Sequence, residues 1–117
     1  LHLLHVLGWI EYCARPLGAP LRQTVFPPDV VRLKAYPERV MSKAEMFALA
    51  KDMKALAHAY FETQSAATLT GKNETMSEYM GRDCTNQFAL LALVRHLCYH
   101  IGCCDTMLRS HGLPGVY

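Results

Sequence analysis

Between Thr85 and Ser110 the apolar residues recur at helical spacing, and two histidines sit on the same seam. Ala89, Leu93, His96, His100, Cys103 and Met107 follow one another at intervals of 4-3-4-3-4. At about 100° per residue, that spacing puts all six side chains on one face of an α-helix. A long helix with one apolar seam buries it against other helices. Gly112 and Pro114 follow, and both stop helices. No stretch alternates apolar and polar residues for long enough to make a strand. The expected class is therefore all-α, with long antiparallel helices packed as a bundle.

Two more helices can be read from spacing. In residues 1–17, Leu3, Leu7, Ile10, Ala14 and Leu17 form one stripe, and His2, His5, Trp9 and Cys13 form a second. Pro16, Gly18 and Pro20 end this helix. Residues 18–41 carry Pro20, Pro27, Pro28 and Pro37. Phe26-Pro27-Pro28-Asp29 cannot be a helix interior, so this is a long connection with one short turn near residues 29–34. Connections of that length often line a site. Ser42 and Glu45 then form a capping box. The helix it opens runs to about Gln64 on Met46, Leu49, Met53, Leu56 and Tyr60. Residues 65–82, rich in Thr, Gly and Asn, read as a loop with a short helix around Met76–Met80. The first helix has two apolar stripes and starts without a polar cap or an initiator Met. The expectation is a four-helix bundle whose first helix is absent from this sequence.

Residues 1–117 are expected to form a single domain. The formal charge is +2 and the twelve Lys and Arg are scattered, which argues against nucleic acid as a partner. No uninterrupted apolar run approaches the roughly 18–20 residues that cross a bilayer. The opening Leu-His-Leu-Leu-His-Val-Leu-Gly-Trp lacks the charged start and cleavage site of a signal peptide. The five cysteines, odd in number and irregularly spaced, do not suggest a disulfide framework. Reduced thiols in the cytoplasm are the simpler expectation. Asn73-Glu74-Thr75 fits the glycosylation pattern but carries no weight without secretion.

The chemistry concentrates in the histidines. His96 and His100, one turn apart, can reach one metal ion, since each imidazole nitrogen needs only about 2.0–2.1 Å to Zn. The bland alternative is a pair of core histidines satisfied by hydrogen bonds. Left unpaired, each buried ring would cost on the order of 1–3 kcal/mol, a cost that a shared ligand removes. His5, on the inward stripe of the first helix, is the natural third ligand. His2, one turn earlier, is a weaker candidate. Cys103, one turn beyond His100, is either a fourth thiolate ligand or a small buried hydrophobe. Cys13, Cys84, Cys98 and Cys104 read as packing residues, and His58 and His111 as solvated. Trp9, Tyr12 and Tyr99 line either the core or a pocket. Glu11 lies about 240° around the helix from His5 and is expected to face elsewhere, which leaves no obvious general base.

His5-Val-Leu-Gly-Trp-Ile-Glu-Tyr, followed much later by Arg95-His96-Leu-Cys-Tyr-His100-Ile-Gly, resembles the DinB-like, or bacillithiol-transferase-like, superfamily. The ending Leu108-Arg-Ser-His-Gly-Leu-Pro-Gly is similar to the tail of that family. The resemblance implies an up-down-down-up four-helix bundle with residues 1–17, 43–64 and 85–110 as its second, third and fourth helices. It implies metal ligands at His5, His96 and His100. Many relatives carry Gln where this chain has Cys103 after Gly102. The resemblance also implies a divalent metal, Zn or Ni, and an activity such as transfer of a low-molecular-weight thiol, thiol-dependent isomerisation or hydrolysis. A homodimer is expected. The alternative is a non-catalytic metal-binding or dimerising helical module, and a closed four-ligand site including Cys103 would favour it.

Overall fold

The computed structural model describes residues 1–14, 20 and 26–116. Its helices are α1 (His2–Ala14), α2 (Pro28–Val31), α3 (Lys43–Glu62), α4 (Ala66–Thr70), α5 (Glu74–Met80) and α6 (Asn86–Ser110). Among the described residues no strand forms, so the class is all-α. Leu17 and the expected stops at Pro16 and Gly18 lie outside the described residues.

Local chemistry accounts for most of the helix starts. Ser42 Oγ accepts from Glu45 N at 3.2 Å and Glu45 Oε2 accepts from Ser42 N at 2.8 Å, so the capping box forms as read. α2 begins on Pro28 at its first turn, where a missing N–H costs nothing. Thr85 caps α6 through Phe88 N. The stretch read as a loop before α5 contains α4, whose Ser65 and Thr68 side chains cap each other's backbone. Thr in place of the usual Glu or Gln obscured that box in the sequence. Asn73 caps α5 through Met76 N at 2.8 Å, and its amide donates to Asn86 Oδ1 at 2.9 Å. The glycosylation-like triplet thus spends its asparagine on internal hydrogen bonds.

α1 packs against both α3 and α6. Its apolar side joins Leu4, Leu7 and Ala14 to Phe26, Val30, Leu49, Met53 and Leu56 in one core. A second core gathers Met76, Cys84 and Ala89, with Trp9 and Cys13 of α1 packed on it. Both stripes of α1 are therefore covered from within the chain. The stripe facing α3 keeps Leu7, Ile10 and Ala14 of the expected set and departs at its first residue: Leu4 is buried and Leu3 is exposed. His5 and Leu4 are adjacent, so the inward arc of α1 is wide and takes neighbours on both sides.

α6 buries only part of its surface. Ala89, Leu93 and His100 are buried, whereas Leu91, Val94, Tyr99 and Met107 are exposed. Met107 thus departs from the inward seam on which the spacing placed it. By length and composition alone α6 is apolar enough to cross a bilayer, although it contains no uninterrupted apolar run of that length. All five cysteines are free thiols.

Candidate metal centre

The site forms where α1, α2 and α6 meet. His5 is 8% exposed and donates its Nδ1–H to the carbonyl of Val31 at 2.6 Å. A carbonyl only accepts, so this bond places the His5 proton on Nδ1 and leaves the lone pair of a neutral ring on Nε2. Val31 can approach this closely because α1 carries Gly8 one turn beyond His5. A Cβ at Gly8 would fall directly on Val31 Cγ1, with Val31 Cβ 3.7 Å away. Gly8 is costly inside a helix, and close passage of α2 is what it allows.

α6 supplies the other two rings. His96 Nε2 lies 2.9 Å from His5 Nε2. With the His5 lone pair on Nε2, the His96 Nε2–H is the donor in the metal-free protein. The ring centroids are 4.5 Å apart for His96 and His100, 4.8 Å for His5 and His100, and 4.9 Å for His5 and His96. One nitrogen from each ring lies within 4.8 Å of the others. Ligands on a tetrahedral Zn at about 2.05 Å stand about 3.3 Å from one another, so small shifts would bring this set to bonding distance. Three imidazoles with no fourth protein ligand among the described residues suit an open site. The group could hold a metal ion.

Electrostatics favour neutral, ligand-ready rings. Burial is the largest cause that pushes the His96 pKa down to about 4, followed by the neighbouring His100, His5 and Arg95. The pKa of His100 is lowered by burial first, then by His5 and His2. Metal binding needs neutral imidazoles, and both rings are neutral near pH 7 without loss of a proton to solvent.

His5, His96 and His100, the three residues expected from sequence, are thus brought together. Cys103 is half-buried and stands outside the cluster, so the structure gives no fourth thiolate. One further turn of helix carries its short side chain along the axis, away from the rings. His2, the weaker candidate, lies against the cluster rather than in it: its Nδ1 is 3.0 Å from His100 Nδ1. His58 and His111 are exposed.

A cavity of about 580 Å³ opens onto His5 and His96. Its aromatic wall is Trp9, Tyr12 and Tyr79, with ring centroids 5.2 Å apart for Trp9 and Tyr79 and 5.5 Å for Trp9 and Tyr12. Trp9 also packs on His96 at 5.1 Å. Tyr99, expected in the core or at a pocket, is in neither: it is exposed and flanks His100 at 5.0 Å. Glu11 departs from the sequence reading. It is 1% exposed and lines the same cavity as His5. The cavity wraps an arc of about 160° of α1, from Glu11 past Gly8 and Tyr12 to His5 and Trp9, so the large angle from His5 does not take Glu11 out of it. Gly8, Val31 and Tyr79 were missed in the sequence. Only the in-helix glycine left a signal.

No family model, no curated protein and no solved structure matches this chain.

Proposed function

We propose that this chain is a divalent-metal protein of the DinB-like type, a four-helix-bundle relative that holds Zn or Ni on His5, His96 and His100 and acts on a small molecule. The observation that carries the reading is the convergence of three imidazole nitrogens, with two of the rings, His5 and His96, lining a cavity large enough for a small substrate. A bound divalent cation supplies Lewis acidity, which turns a ligated thiol or water into a nucleophile near neutral pH. The remaining work falls to the chain. The Val31 carbonyl keeps His5 Nε2 turned toward His96. Trp9 packs on the His96 ring and Tyr79 on Trp9, which gives the ligand rings an aromatic neighbour inside the cavity. Glu11 is the only carboxylate lining the cavity among the described residues. Thiol transfer and metal-assisted hydrolysis both suit this arrangement.

The test has two stages. Elemental analysis of protein purified without chelator, followed by X-ray absorption, is expected to give one metal with three imidazoles. His100→Ala is expected to lose stoichiometric metal while keeping most helicity. Full occupancy in that variant refutes the ligand set. A screen of bacillithiol, mycothiol and glutathione with an electrophile then reads the activity. Metal uptake with a flat screen points to hydrolysis or to a non-catalytic module.

A further inference from the structure

The mouth of the cavity carries two cations that the metal site does not use. Arg32 and Lys34 both line it, both are exposed, and neither forms an ion pair among the described residues. Their placement comes from the backbone between them. Leu33 has φ +60°, the left-handed conformation that a residue with a Cβ adopts at a cost of about 1–2 kcal/mol. It sits at the exit of α2, where glycine is the usual residue. The turn is closed by Leu33 N to Val30 O at 3.1 Å, Lys34 N to Asp29 O at 2.8 Å and Ala35 N to Asp29 O at 3.2 Å. Strain of this kind gathers where a chain positions functional groups.

We infer that this cavity binds a small planar or aromatic oxyanion, a carboxylate or phosphoryl compound, whose flat body stacks on one ring of the edge-to-face Trp9–Tyr79 pair and whose charge meets Arg32 and Lys34. The inference rests on the reading of the cavity as the substrate chamber, and it names the substrate class for that chamber. Two unpaired cations beside aromatic rings select an anion over its neutral isostere through long-range attraction and through paired contacts at the mouth. The one carboxylate in the lining, Glu11, is buried and already engaged, so it does not neutralise them at the surface.

Trp9 is the only tryptophan in the chain and lines the cavity, so its fluorescence reports occupancy. The full chain is titrated with benzoate, phenylphosphonate and the neutral benzamide, once in EDTA and once with equimolar Zn. In both states the two anions are expected to bind about fivefold tighter than benzamide, in keeping with two exposed ion pairs. That preference is expected to vanish in Arg32→Gln/Lys34→Gln and in about 1 M NaCl, where the Debye length is about 3 Å. Far-UV circular dichroism confirms that the double variant is folded, and the high-salt arm stands if it is not. Absence of an anion preference in the wild-type chain overturns the inference. So does a preference that needs Zn and survives the double substitution, because the metal then holds the anion. Failure of Zn to bind, with the preference intact in EDTA, refutes the metal reading and leaves this inference standing.

Discussion

Replacing Gly8 by Ala separates fold stability from site geometry. In an ordinary helix interior the change stabilises by about 1 kcal/mol. Here the new Cβ lands on Val31 Cγ1. Valine is stiff about χ1, so the clash is relieved by moving α2 rather than by turning one side chain. A shift of about 1 Å stretches the 2.6 Å bond from His5 Nδ1 to the Val31 carbonyl beyond hydrogen-bond range. Loss of such a supporting bond on a metal-bound histidine lowers affinity roughly 10–100-fold, or about 1.4–2.7 kcal/mol. The helical gain and the displaced packing largely offset each other in the melting temperature. Zn affinity, read by competition with a chromophoric chelator at pH 7, is therefore expected to fall by that factor while Tm changes by only a few degrees. Gly8→Ala/Val31→Ala removes Cγ1 and leaves Val31 Cβ at 3.7 Å, an ordinary contact. The accepting carbonyl is backbone and survives, so the double variant is expected to recover most of the affinity. Unchanged affinity in Gly8→Ala refutes the reasoning. So does a double variant that stays weak while Val31→Ala alone binds normally.

The surrounding residues give further tests. His2→Ala removes the ring 3.0 Å from His100 Nδ1 and is expected to weaken Zn binding roughly tenfold, with partial recovery in His2→Asn; identical isotherms would show that His2 plays no part. Cys103→Ala is expected to keep metal stoichiometry and affinity, measured by elemental analysis and competition titration, because the thiol lies outside the ring cluster; loss of metal would place a thiolate in the coordination sphere. The metal-free chain is expected to lose stability as pH falls from about 6.5 to about 4. His96 titrates near 4 in the fold and near 6.5 when unfolded, so in that window the unfolded state binds more protons and protonation favours unfolding. Urea midpoints across the range read this directly, and His96→Gln is expected to flatten the slope.

The long helices were legible because periodicity and capping act locally. Ser42 and Glu45 bond within one turn, and Leu49, Met53 and Leu56 bury the face their spacing defines. The short elements were less legible. α4 uses Thr68 where the usual box has Glu or Gln, and propensity alone does not reveal a five-residue helix. Leu7 and Ala14 of α1 bury as their spacing defines, but at the start of the helix the packing partners decide, and Leu4 rather than Leu3 enters the core. A pattern of apolar positions says that a surface is buried, and leaves open what covers it.

The site follows the same division, with a sharper consequence. His96 and His100 share a helix, so spacing alone made them neighbours. His5 needed a second helix at the right height, which no local rule supplies. The groups that aim His5 were harder still to see. Its proton is held by a main-chain carbonyl, and every residue has one, so the identity of Val31 carries no trace of that role. The trace appears in what is missing across from it, the side chain of Gly8. Glu11 escaped for a related reason: the cavity is bounded by α2 as well as α1, and an angle measured on one helix cannot say where the other turns the boundary. The sequence therefore shows ligand candidates through side chains that are present. Their aim comes from backbone contacts and from side chains that are absent, and it is this second set that decides whether three nearby imidazoles act as one site.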